Sequence, residues 1–455
     1  MTDSDTADRQ VQKSLPMHID LLIGLAEKYL HPFPLIRQAE SPRTDIFGWL
    51  ASQKIYPRFY WRNRAKSVEL GAVGRALDIS PGMVSPILQS SADPEPLILF
   101  AQRFDGYPRP DPLWRPYAER LCFFPGSIIR RTGVRFIMMN TVAVAPGESI
   151  DVIRSKINDG RKKHQSGQSV IRDRSLPSIK TISHSPNREE WRRNIDRALK
   201  AIDDGFIEKI VLARRTDLAF GESIDPRRMF VELAGFHQSG YAFYFQPDES
   251  TAFFSFSPER LFCREENRLT VDALSSTVPR GCTADDDRGQ EKRLLSDDKL
   301  RREHRAVVDG INQEALPLYA SPPDSGETGI YKLEQVQHLH TSVAGLLREG
   351  IGDEDIIAAL HPTPAVGGRP TDRALELIRQ WEPFERGWYA SPAGYFSPKR
   401  SEGLVAIRSA VVRGSVVSAF SGAGIVAGSG ADEEWQELEG KSILRPWLER
   451  NGGVG

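Results

Sequence analysis

The segment Lys209–Arg214 has the sequence KIVLAR, a short apolar run of the kind that forms a buried strand. Side chains alternate across a strand, so Lys209 should share one face with Val211 and Ala213. A lysine at such a position is unusual, because burial disfavours the charged ammonium. Two interpretations follow: an edge-strand lysine that points to solvent, or a base whose pKa is lowered by desolvation until it is neutral near physiological pH.

A helix is predicted directly before this strand. It should begin near Ser185 and Pro186, because serine is a favourable N-cap and proline suits the first helical position. Gly205 is predicted to end the helix. Between these limits apolar residues recur at helical spacing: Trp191, Ile195, Leu199 and Ile202.

Further strands and helices are predicted on both sides of this unit. Met17–Ser155 mixes short apolar runs with Pro and Gly, which indicates strands joined by turns, and the polar stretch Asn158–Pro186 is interpreted as a loop or linker. The later predicted elements are strands Tyr241–Gln246 and Phe253–Phe256, helices Asp297–Leu316 and Thr371–Gln380, strands Gly403–Val412 and Val416–Gly422, and a helix Asp432–Leu448. Strands and helices come in runs rather than in strict alternation, which predicts an α+β fold with large antiparallel sheets packed between helices.

Composition and charge exclude several classes of function. The 455-residue chain has 60 Lys and Arg against 61 Asp and Glu, which argues against a general nucleic-acid binder but not against a small anionic ligand. Cys122, Cys263 and Cys282 form no CxxC pair, so a zinc or redox site is not indicated and a reducing compartment is expected. Met1–Lys13 lacks the apolar core of a signal peptide, and no apolar run is long enough to span a membrane. We therefore expect a cytoplasmic protein without a membrane span.

Four glutamates are candidates for chemistry, and each has an ordinary alternative. Glu259 follows Pro258 at the predicted end of a strand, where it could act as a general acid or be a plain loop carboxylate. Glu434 and Glu437 fall on one face of the last predicted helix, which suits Mg²⁺ because this ion prefers oxygen ligands and uses few from protein. The alternative is a solvated charged face, and the spacing alone favours that alternative. Glu303 has the same two interpretations.

Taken together, these segments resemble the chorismate-utilising enzymes, a family that includes isochorismate, salicylate, anthranilate and aminodeoxychorismate synthases. The resemblance extends from about residue 190 to residue 448, in blocks that follow the family's order. The blocks are KIVLAR at 209–214, SPER at 257–260, REHR at 302–305, VQHL at 336–339, LHPTPAVGG at 360–368, RGWY at 386–389, GAGIV at 422–426, and EWQE at 434–437 with Lys441. The N-terminal part resembles the menaquinone-type isochorismate synthases through FYW at 59–61 and the spacing from RFD at 103–105 to Trp114 and Pro125.

The resemblance implies a fold like that of anthranilate synthase component I. A disordered tail at 1–13 would precede a single chorismate-binding catalytic domain at 14–455, more divergent over 14–186 and motif-bearing over 187–450. The implied reaction is the isomerisation of chorismate to isochorismate, by addition of water at C2 and loss of the C4 hydroxyl, with Mg²⁺ as the cofactor.

The resemblance also implies roles for individual residues. Lys209 would activate water as the base, and Glu259 would protonate the departing hydroxyl as the acid. Glu303 and Glu437 would hold Mg²⁺, with Glu434 nearby. The implied substrate-binding residues are Ser276, Thr277, His338, Ala365, Tyr389, Arg408, Gly422 and Lys441.

Two positions indicate which nucleophile this family member uses, and one short segment departs from the family pattern. Amine-forming relatives lack a lysine at the position of Lys209, and aminodeoxychorismate synthases carry a lysine where this chain has Ser275, so water is the expected nucleophile. Most of the family has Ala-Gly before the position of Thr277, whereas this chain has Ser275 and Ser276. A glycine lets the backbone approach the substrate closely, so Ser276 is expected to alter local contacts or to lower activity.

Two other functions stay open. The first is a salicylate synthase, which expels pyruvate after forming isochorismate and tends to carry threonine where this chain has Ala365. The second is a non-catalytic chorismate-binding subunit, which would not need the acid–base pair of Lys209 and Glu259. A monomer is expected by analogy, and the product could feed menaquinone or siderophore synthesis.

Overall fold

The computed structural model describes residues 22–28, 32–41, 44–90, 95–107, 110–163, 175–333 and 336–451. The predicted tail at 1–13 lies outside these residues. The strands are β1 (Phe33–Glu40), β2 (Arg58–Arg62), β3 (Val68–Asp78), β4 (Ile98–Gln102), β5 (Arg120–Thr132), β6 (Arg135–Val144), β7 (Ile179–Ser185), β8 (Lys209–Phe220), β9 (Ala242–Gln246), β10 (Thr251–Ser255), β11 (Arg260–Glu265), β12 (Arg268–Pro279), β13 (Asp324–Ser325), β14 (Gly329–Lys332), β15 (Val336–Leu346), β16 (Gly368–Arg369), β17 (Pro392–Phe396), β18 (Arg400–Val405), β19 (Ser409–Arg413) and β20 (Val416–Ile425).

Helices connect and cover these strands. The α-helices are α1 (22–28), α2 (Ile46–Ser52), α3 (Val84–Ser90), α4 (Ile150–Lys163), α5 (Arg188–Asp203), α6 (Pro226–Ala234), α7 (Ala284–Ser296), α8 (Asp298–Ala315), α9 (Asp353–Leu360), α10 (Thr371–Trp381), α11 (Ala431–Lys441) and α12 (Arg445–Arg450). Short 3₁₀ turns occupy Pro112–Trp114 and Leu316–Leu318.

The strands pair antiparallel into two sheets that share β5. The first sheet runs β7-β8-β20-β19-β10-β9-β2-β3-β5-β6-β1. The second runs β5-β4-β17-β18-β11-β12-β15-β14, with β13 also on β15, while β16 pairs with β8. This arrangement confirms the predicted α+β class with large antiparallel sheets. β2 pairs with β9, and β4 pairs with β17. The more divergent part before residue 187 and the motif-bearing part after it therefore contribute strands to the same sheets.

Two hydrophobic cores lie on the two faces of the first sheet. On β2, Phe59 and Trp61 pack into the larger core, whereas Tyr60 between them packs into the smaller one. Side chains alternate across a strand, which explains this division. The larger core also contains residues of the second sheet and of α5, α9 and α10, and the smaller core is closed by α2, α6 and α12.

Helix α5 begins later than the sequence predicts. The side chain of its N-cap, Asn187, accepts hydrogen bonds from the backbone N–H groups of Glu189 and Glu190. The Glu190 carboxylate accepts from the Asn187 N–H in return, at 2.9 Å. This reciprocal capping box satisfies more groups at the helix end than a single serine cap, so the predicted start at Ser185 is wrong.

The polar stretch 158–186 is not a plain loop. Helix α4 extends to Lys163, and β7 occupies Ile179–Ser185, while residues 164–174 lie outside the described part of the chain. Among the described strands β7 pairs only with β8, and most of its residues are exposed. An edge strand of this kind is held by backbone hydrogen bonds and needs few apolar side chains, which is why its composition resembles that of a loop.

The predicted strand Gly403–Val412 is two strands in the structure. β18 ends at Val405 within the second sheet, whereas β19 begins at Ser409 within the first. The chain crosses between the sheets at residues 406–408, where Arg408 takes a left-handed conformation with a φ of 50°. The apolar pattern continues through the crossing, so sequence periodicity does not reveal it.

The predicted helix Asp432–Leu448 is also divided. α11 ends at Lys441, and α12 begins at Arg445 with Pro446 in its first turn. Proline has no N–H, and its ring clashes with the carbonyl four residues earlier, so one continuous helix cannot pass through this position. The other elements predicted after residue 240 match the structure to within a few residues.

Candidate active site

A cavity of about 220 Å³ lies where β8, β12, β15 and β20 meet α8 and α11. Every residue that the sequence nominates for catalysis, metal binding or substrate binding lines this cavity. These residues are Lys209, Glu259, Ser276, Thr277, Glu303, His338, Ala365, Tyr389, Arg408, Gly422, Glu434, Glu437 and Lys441. The fold therefore brings together side chains that are far apart in the sequence, and the roles assigned to them stay predictions.

Lys209 begins β8 inside the first sheet rather than at its edge. β8 pairs with β20 on one side and with β7 and β16 on the other, so the interpretation as an edge-strand lysine is wrong. Burial lowers the pKa of Lys209; the carboxylate of Glu303 opposes this shift, and the ammonium of Lys441 adds to it. A lowered pKa favours the neutral amine, which is the form that a general base needs.

Glu259 lies in the link between β10 and β11. The backbone on both of its sides is fixed, because its N–H donates to the Ser257 hydroxyl at 3.1 Å and its carbonyl accepts from the Val405 N–H at 3.1 Å. Only 6% of its surface is exposed, so it is not a plain loop carboxylate. Burial raises the pKa of Glu259 to about 7, against the opposing effect of Lys209. A carboxyl group that keeps its proton near neutral pH is suited to act as an acid.

Three carboxylates line the cavity from two helices. Glu303 comes from α8, and Glu434 and Glu437 come from α11. Glu437 pairs with Lys441, and although burial acts the other way, this neighbouring ammonium lowers the pKa of Glu437. Burial and the charge of Glu437 raise the pKa of Glu434 to about 7, and the Oε2 atom of Glu434 is buried without a hydrogen-bond partner among the described residues.

These carboxylates do not form a complete metal cage. Within the part of the chain that the structure describes, no three His, Cys, Asp or Glu side chains form a group that could hold a metal ion by themselves. A cation bound beside Glu303, Glu434 and Glu437 would therefore need further ligands from water or from a bound molecule. Mg²⁺ commonly binds in this way, with one or two carboxylates and the remaining positions filled by water or substrate oxygens.

Cationic and polar groups form the part of the cavity nearest to Arg408. Burial lowers the pKa of the Arg408 guanidinium to about 10, which still leaves it charged at neutral pH. The Lys441 ammonium donates to the carbonyl of Gly422 at 3.4 Å. A Cβ atom at position 422 would lie 2.5 Å from the hydroxyl of Tyr389, so any larger residue would require this buried tyrosine to move. A guanidinium, an ammonium and a phenol on one side of a cavity suit a carboxylate ligand.

His338 is held as a neutral ring at the wall of the cavity. Its Nδ1 lies 2.9 Å from the Thr277 hydroxyl, which links β15 to β12. Burial lowers the pKa of His338 to about 3, and Arg408 and Lys441 add to the effect. Its Nε2 has no hydrogen-bond partner in the described structure, so a neutral ring nitrogen is left for a ligand in the cavity.

Ser276 lies in a β-bulge of β12. The register with β15 shifts between Ser275 and Thr277, and Ser276 has a φ of 55°, in the left-handed region that favours glycine. The Ser276 Oγ lies 2.8 Å from the carbonyl oxygen of Leu300 and 3.2 Å from Oε2 of Glu303. The Ser276 side chain is thus turned toward α8.

A buried ion pair that supports β8 was not predicted from the sequence. The guanidinium of Arg386 pairs with Glu382 and donates to the carbonyl oxygens of Val211 and Val366, at 2.7 and 2.8 Å. Glu382 in turn accepts from the N–H of Ala213 at 2.8 Å. The pair ties β8 to the segment that carries Ala365, and the only sequence signal for it is that Arg386 lies in the RGWY block.

Comparison with known proteins identifies the class of protein. The chorismate binding enzyme family matches residues 31–448, so the chain belongs to that family, and the resemblance seen in the sequence blocks is confirmed. Isochorismate synthase MenF of Escherichia coli (strain K12) is 33% identical over 434 residues, which cover 92% of this chain and 93% of that protein.

Solved structures agree with this assignment. The structure of the menaquinone-specific isochorismate synthase MenF from Escherichia coli covers 94% of this chain and 98% of its own, with a TM-score of 0.80 and 30% identity. Anthranilate synthase component I from Streptococcus pneumoniae matches 90% of this chain and 91% of its own, with a TM-score of 0.65 and 18% identity, and shares the fold. No helix among the described residues is long and apolar enough to cross a membrane.

Proposed function

We propose that this enzyme converts chorismate to isochorismate, with Lys209 as the base and Glu259 as the acid. The observation that carries the proposal is the pairing of these two groups in one cavity, the lysine with a lowered pKa and the glutamate with a pKa raised to about 7. Two titratable groups whose environments shift their pKa values toward each other can exchange protons with a substrate near neutral pH. The name of the E. coli relative, and its similarity over almost the whole length of both chains, favour the same reaction.

The proposed reaction balances without another reactant. Lys209 takes a proton from water as the water oxygen bonds to C2 of the chorismate ring, and the ring double bonds shift. Glu259 gives a proton to the C4 hydroxyl, which leaves as water. The proton on Lys209 then returns to Glu259, which restores both groups for the next turnover.

We propose Mg²⁺ as the cofactor, held by Glu303 and Glu437 with Glu434 nearby. The donor set fits, because the buried Oε2 of Glu434 lacks a hydrogen-bond partner in the described structure and because carboxylates are the ligands that Mg²⁺ prefers. When bound, the ion would neutralise a substrate carboxylate close to these glutamates. Arg408 and Tyr389, beside Gly422, are then proposed to bind the second carboxylate of chorismate.

The similarity over almost the whole of MenF favours a role in supplying isochorismate for menaquinone synthesis. A monomeric state and a cytoplasmic location stay proposals carried over from the sequence. Water rather than ammonia is the proposed nucleophile, because Lys209 is present and Ser275 stands where aminodeoxychorismate synthases carry a lysine.

The test is product analysis in ¹⁸O-labelled water. Purified protein is incubated with chorismate and Mg²⁺. The products are separated by chromatography, and their masses are measured by mass spectrometry. We expect isochorismate with the label on its C2 hydroxyl. Unlabelled isochorismate would mean that the C4 hydroxyl migrates internally and would remove the proposed role of Lys209. No conversion at all would favour the non-catalytic chorismate-binding subunit.

A further inference from the structure

Ser276 occupies a backbone position that glycine would occupy more easily. Its φ of 55° lies in the left-handed region, which brings the Cβ of any other residue close to the following carbonyl. The resemblance to the chorismate-utilising enzymes implies glycine at this position. Ser276 is also buried, with 4% of its surface exposed, so its side chain is not a solvated substitute for glycine. A serine at this left-handed, buried position is explained if its side chain makes a contact that glycine cannot make.

The contact of Ser276 is with helix α8. Its hydroxyl oxygen lies 2.8 Å from the Leu300 carbonyl and 3.2 Å from Oε2 of Glu303, two acceptors about one helical turn apart. A hydroxyl has one proton and donates to one acceptor at a time. The shorter contact is with the Leu300 carbonyl, whereas the contact with Glu303 is with a carboxylate oxygen, a class of acceptor that forms stronger hydrogen bonds. The neighbouring Ser275 hydroxyl lies 2.8 Å from Nδ1 of His304. The two serines thus contact consecutive residues of α8.

We propose that Ser276 is a positioning residue for Glu303, whose carboxylate its hydroxyl holds in the orientation needed to bind the metal. The inference rests on the proposed function, because it takes Glu303 as a metal ligand. A glutamate side chain loses rotamer freedom when it binds a metal, and a hydrogen bond that restricts it beforehand reduces this loss. Hydrogen bonds to metal-binding carboxylates commonly tune metal affinity in this way.

The test measures metal binding without turnover. Mn²⁺ serves as the probe, its free concentration is followed by electron paramagnetic resonance, and chorismate is present at saturation. All variants carry K209Q, so that the substrate is bound but not converted. In this background S276A removes the hydroxyl and keeps the Cβ, whereas S276G removes both. S275A is the matched control. It also removes a hydroxyl from this bulge, but that hydroxyl contacts His304 and not Glu303.

We expect S276A and S276G both to weaken Mn²⁺ binding by about two- to tenfold, the usual effect of one hydrogen bond. S275A should bind Mn²⁺ as tightly as K209Q alone. The melting temperature of S276G should equal or exceed that of K209Q, because glycine relieves the left-handed strain. Weaker metal binding in a variant that is no less stable is a result that a merely structural role would not produce.

Other outcomes would overturn the inference. Unchanged Mn²⁺ binding in S276A or in S276G would show that the hydroxyl does not position Glu303. An equal loss in S275A would assign the effect to the bulge as a whole. If K209Q with intact serines binds chorismate but no Mn²⁺, the proposed metal site fails and the inference fails with it. If K209Q binds Mn²⁺ and the serine variants match it, the inference alone fails.

Discussion

Gly424 leaves open the space that the side chain of Lys209 occupies. A Cβ atom at position 424 would lie 3.0 Å from Cε and 3.5 Å from Nζ of Lys209. Gly424 belongs to β20 and pairs with Val211 of β8, two residues beyond Lys209. The position of the proposed base therefore depends on the absence of a side chain on the neighbouring strand.

The first prediction is that G424A impairs catalysis without unfolding the protein. A contact of 3.0 Å is tighter than most carbon–carbon contacts, so the Lys209 side chain would have to move slightly. Small misplacements of a catalytic group lower the rate, and we expect kcat to fall roughly 3- to 10-fold. The measurement is steady-state kinetics together with a melting curve. G329A is the matched control, because a Cβ at this strand glycine would contact nothing within 4 Å. A kcat for G424A equal to that of G329A would contradict the prediction.

The second prediction concerns the base itself. K209Q should fold like the parent and lose isomerisation, because glutamine cannot accept a proton from water. A general base is worth about 10² to 10⁴ in rate, and we expect a loss in kcat of this size. K200Q is the control, since Lys200 is an exposed lysine on α5. If K209Q stays within a few-fold of K200Q, Lys209 is not the base.

Much of the site could be predicted because its residues lie in short blocks that keep their order along the chain. KIVLAR indicated both the strand and its unusual lysine, and β8 begins at Lys209 as predicted. Local patterns did not show which strands pair. The crossing at residues 406–408 places Arg408 between the sheets, and it depends on partners such as β11 and β10 that are distant in sequence.

Local sequence patterns also did not predict where helices begin or which way side chains point. A serine before a proline predicted that α5 begins near Ser185. The reciprocal hydrogen bonds between Asn187 and Glu190 instead place its first residue at Arg188. The sequence marked Ser276 as a departure from the family and suggested an effect on substrate contacts, which stays a prediction. The structure adds contacts of its hydroxyl with Leu300 and Glu303, and these could be known only once α8 was placed against β12.

The third prediction is a loss of activity as the pH rises through about 7. The pKa of Glu259 is raised from 4.5 to about 7, chiefly by burial, and the acid must be protonated to act. Where Lys209 is neutral, kcat above this pH should fall by up to tenfold for each unit, in proportion to the protonated fraction of Glu259. The lowered pKa of Lys209 has the opposite consequence, since the base is lost as the pH falls through its own value.

The pH prediction is checked by measuring kcat at saturating chorismate and Mg²⁺ from about pH 5 to about pH 9. Melting curves at each pH act as the control, because they separate titration of the site from unfolding. A kcat that rises steadily through pH 7 up to about pH 9, in protein that remains folded, would contradict the role given to Glu259.

The fourth prediction is that chelation stops turnover but leaves the protein folded. The described carboxylates form no complete cage, so the metal should be recruited with substrate and contribute little to stability. E303Q and E437Q should each need about tenfold or more additional Mg²⁺ for half-maximal rate. E433Q is the control, because Glu433 is exposed on the same helix α11. Turnover that persists in excess chelator would exclude the proposed cofactor.

The last prediction is that the reaction stops at isochorismate. Salicylate synthases share the acid, base and metal positions, so those residues do not decide between the two functions. The difference lies in the segment HPTPAVGG at 361–368, where Ala365 lines the cavity and stands in place of the lyase threonine. The missing hydroxyl removes one hydrogen bond to bound substrate, which is worth about 0.5 to 1.5 kcal/mol.

Pyruvate is measured with lactate dehydrogenase and NADH while chorismate loss is followed by chromatography. We expect chorismate to be consumed with almost no pyruvate formed. A365T restores a hydroxyl at this position and should raise pyruvate formation by at most about tenfold, because one hydrogen bond biases the outcome without supplying the whole second step. The unsubstituted protein could instead form one pyruvate for each chorismate consumed, together with salicylate fluorescence. That result would assign the chain to the salicylate synthases, because the cavity would then favour folding of the enolpyruvyl group over the ring even without the hydroxyl.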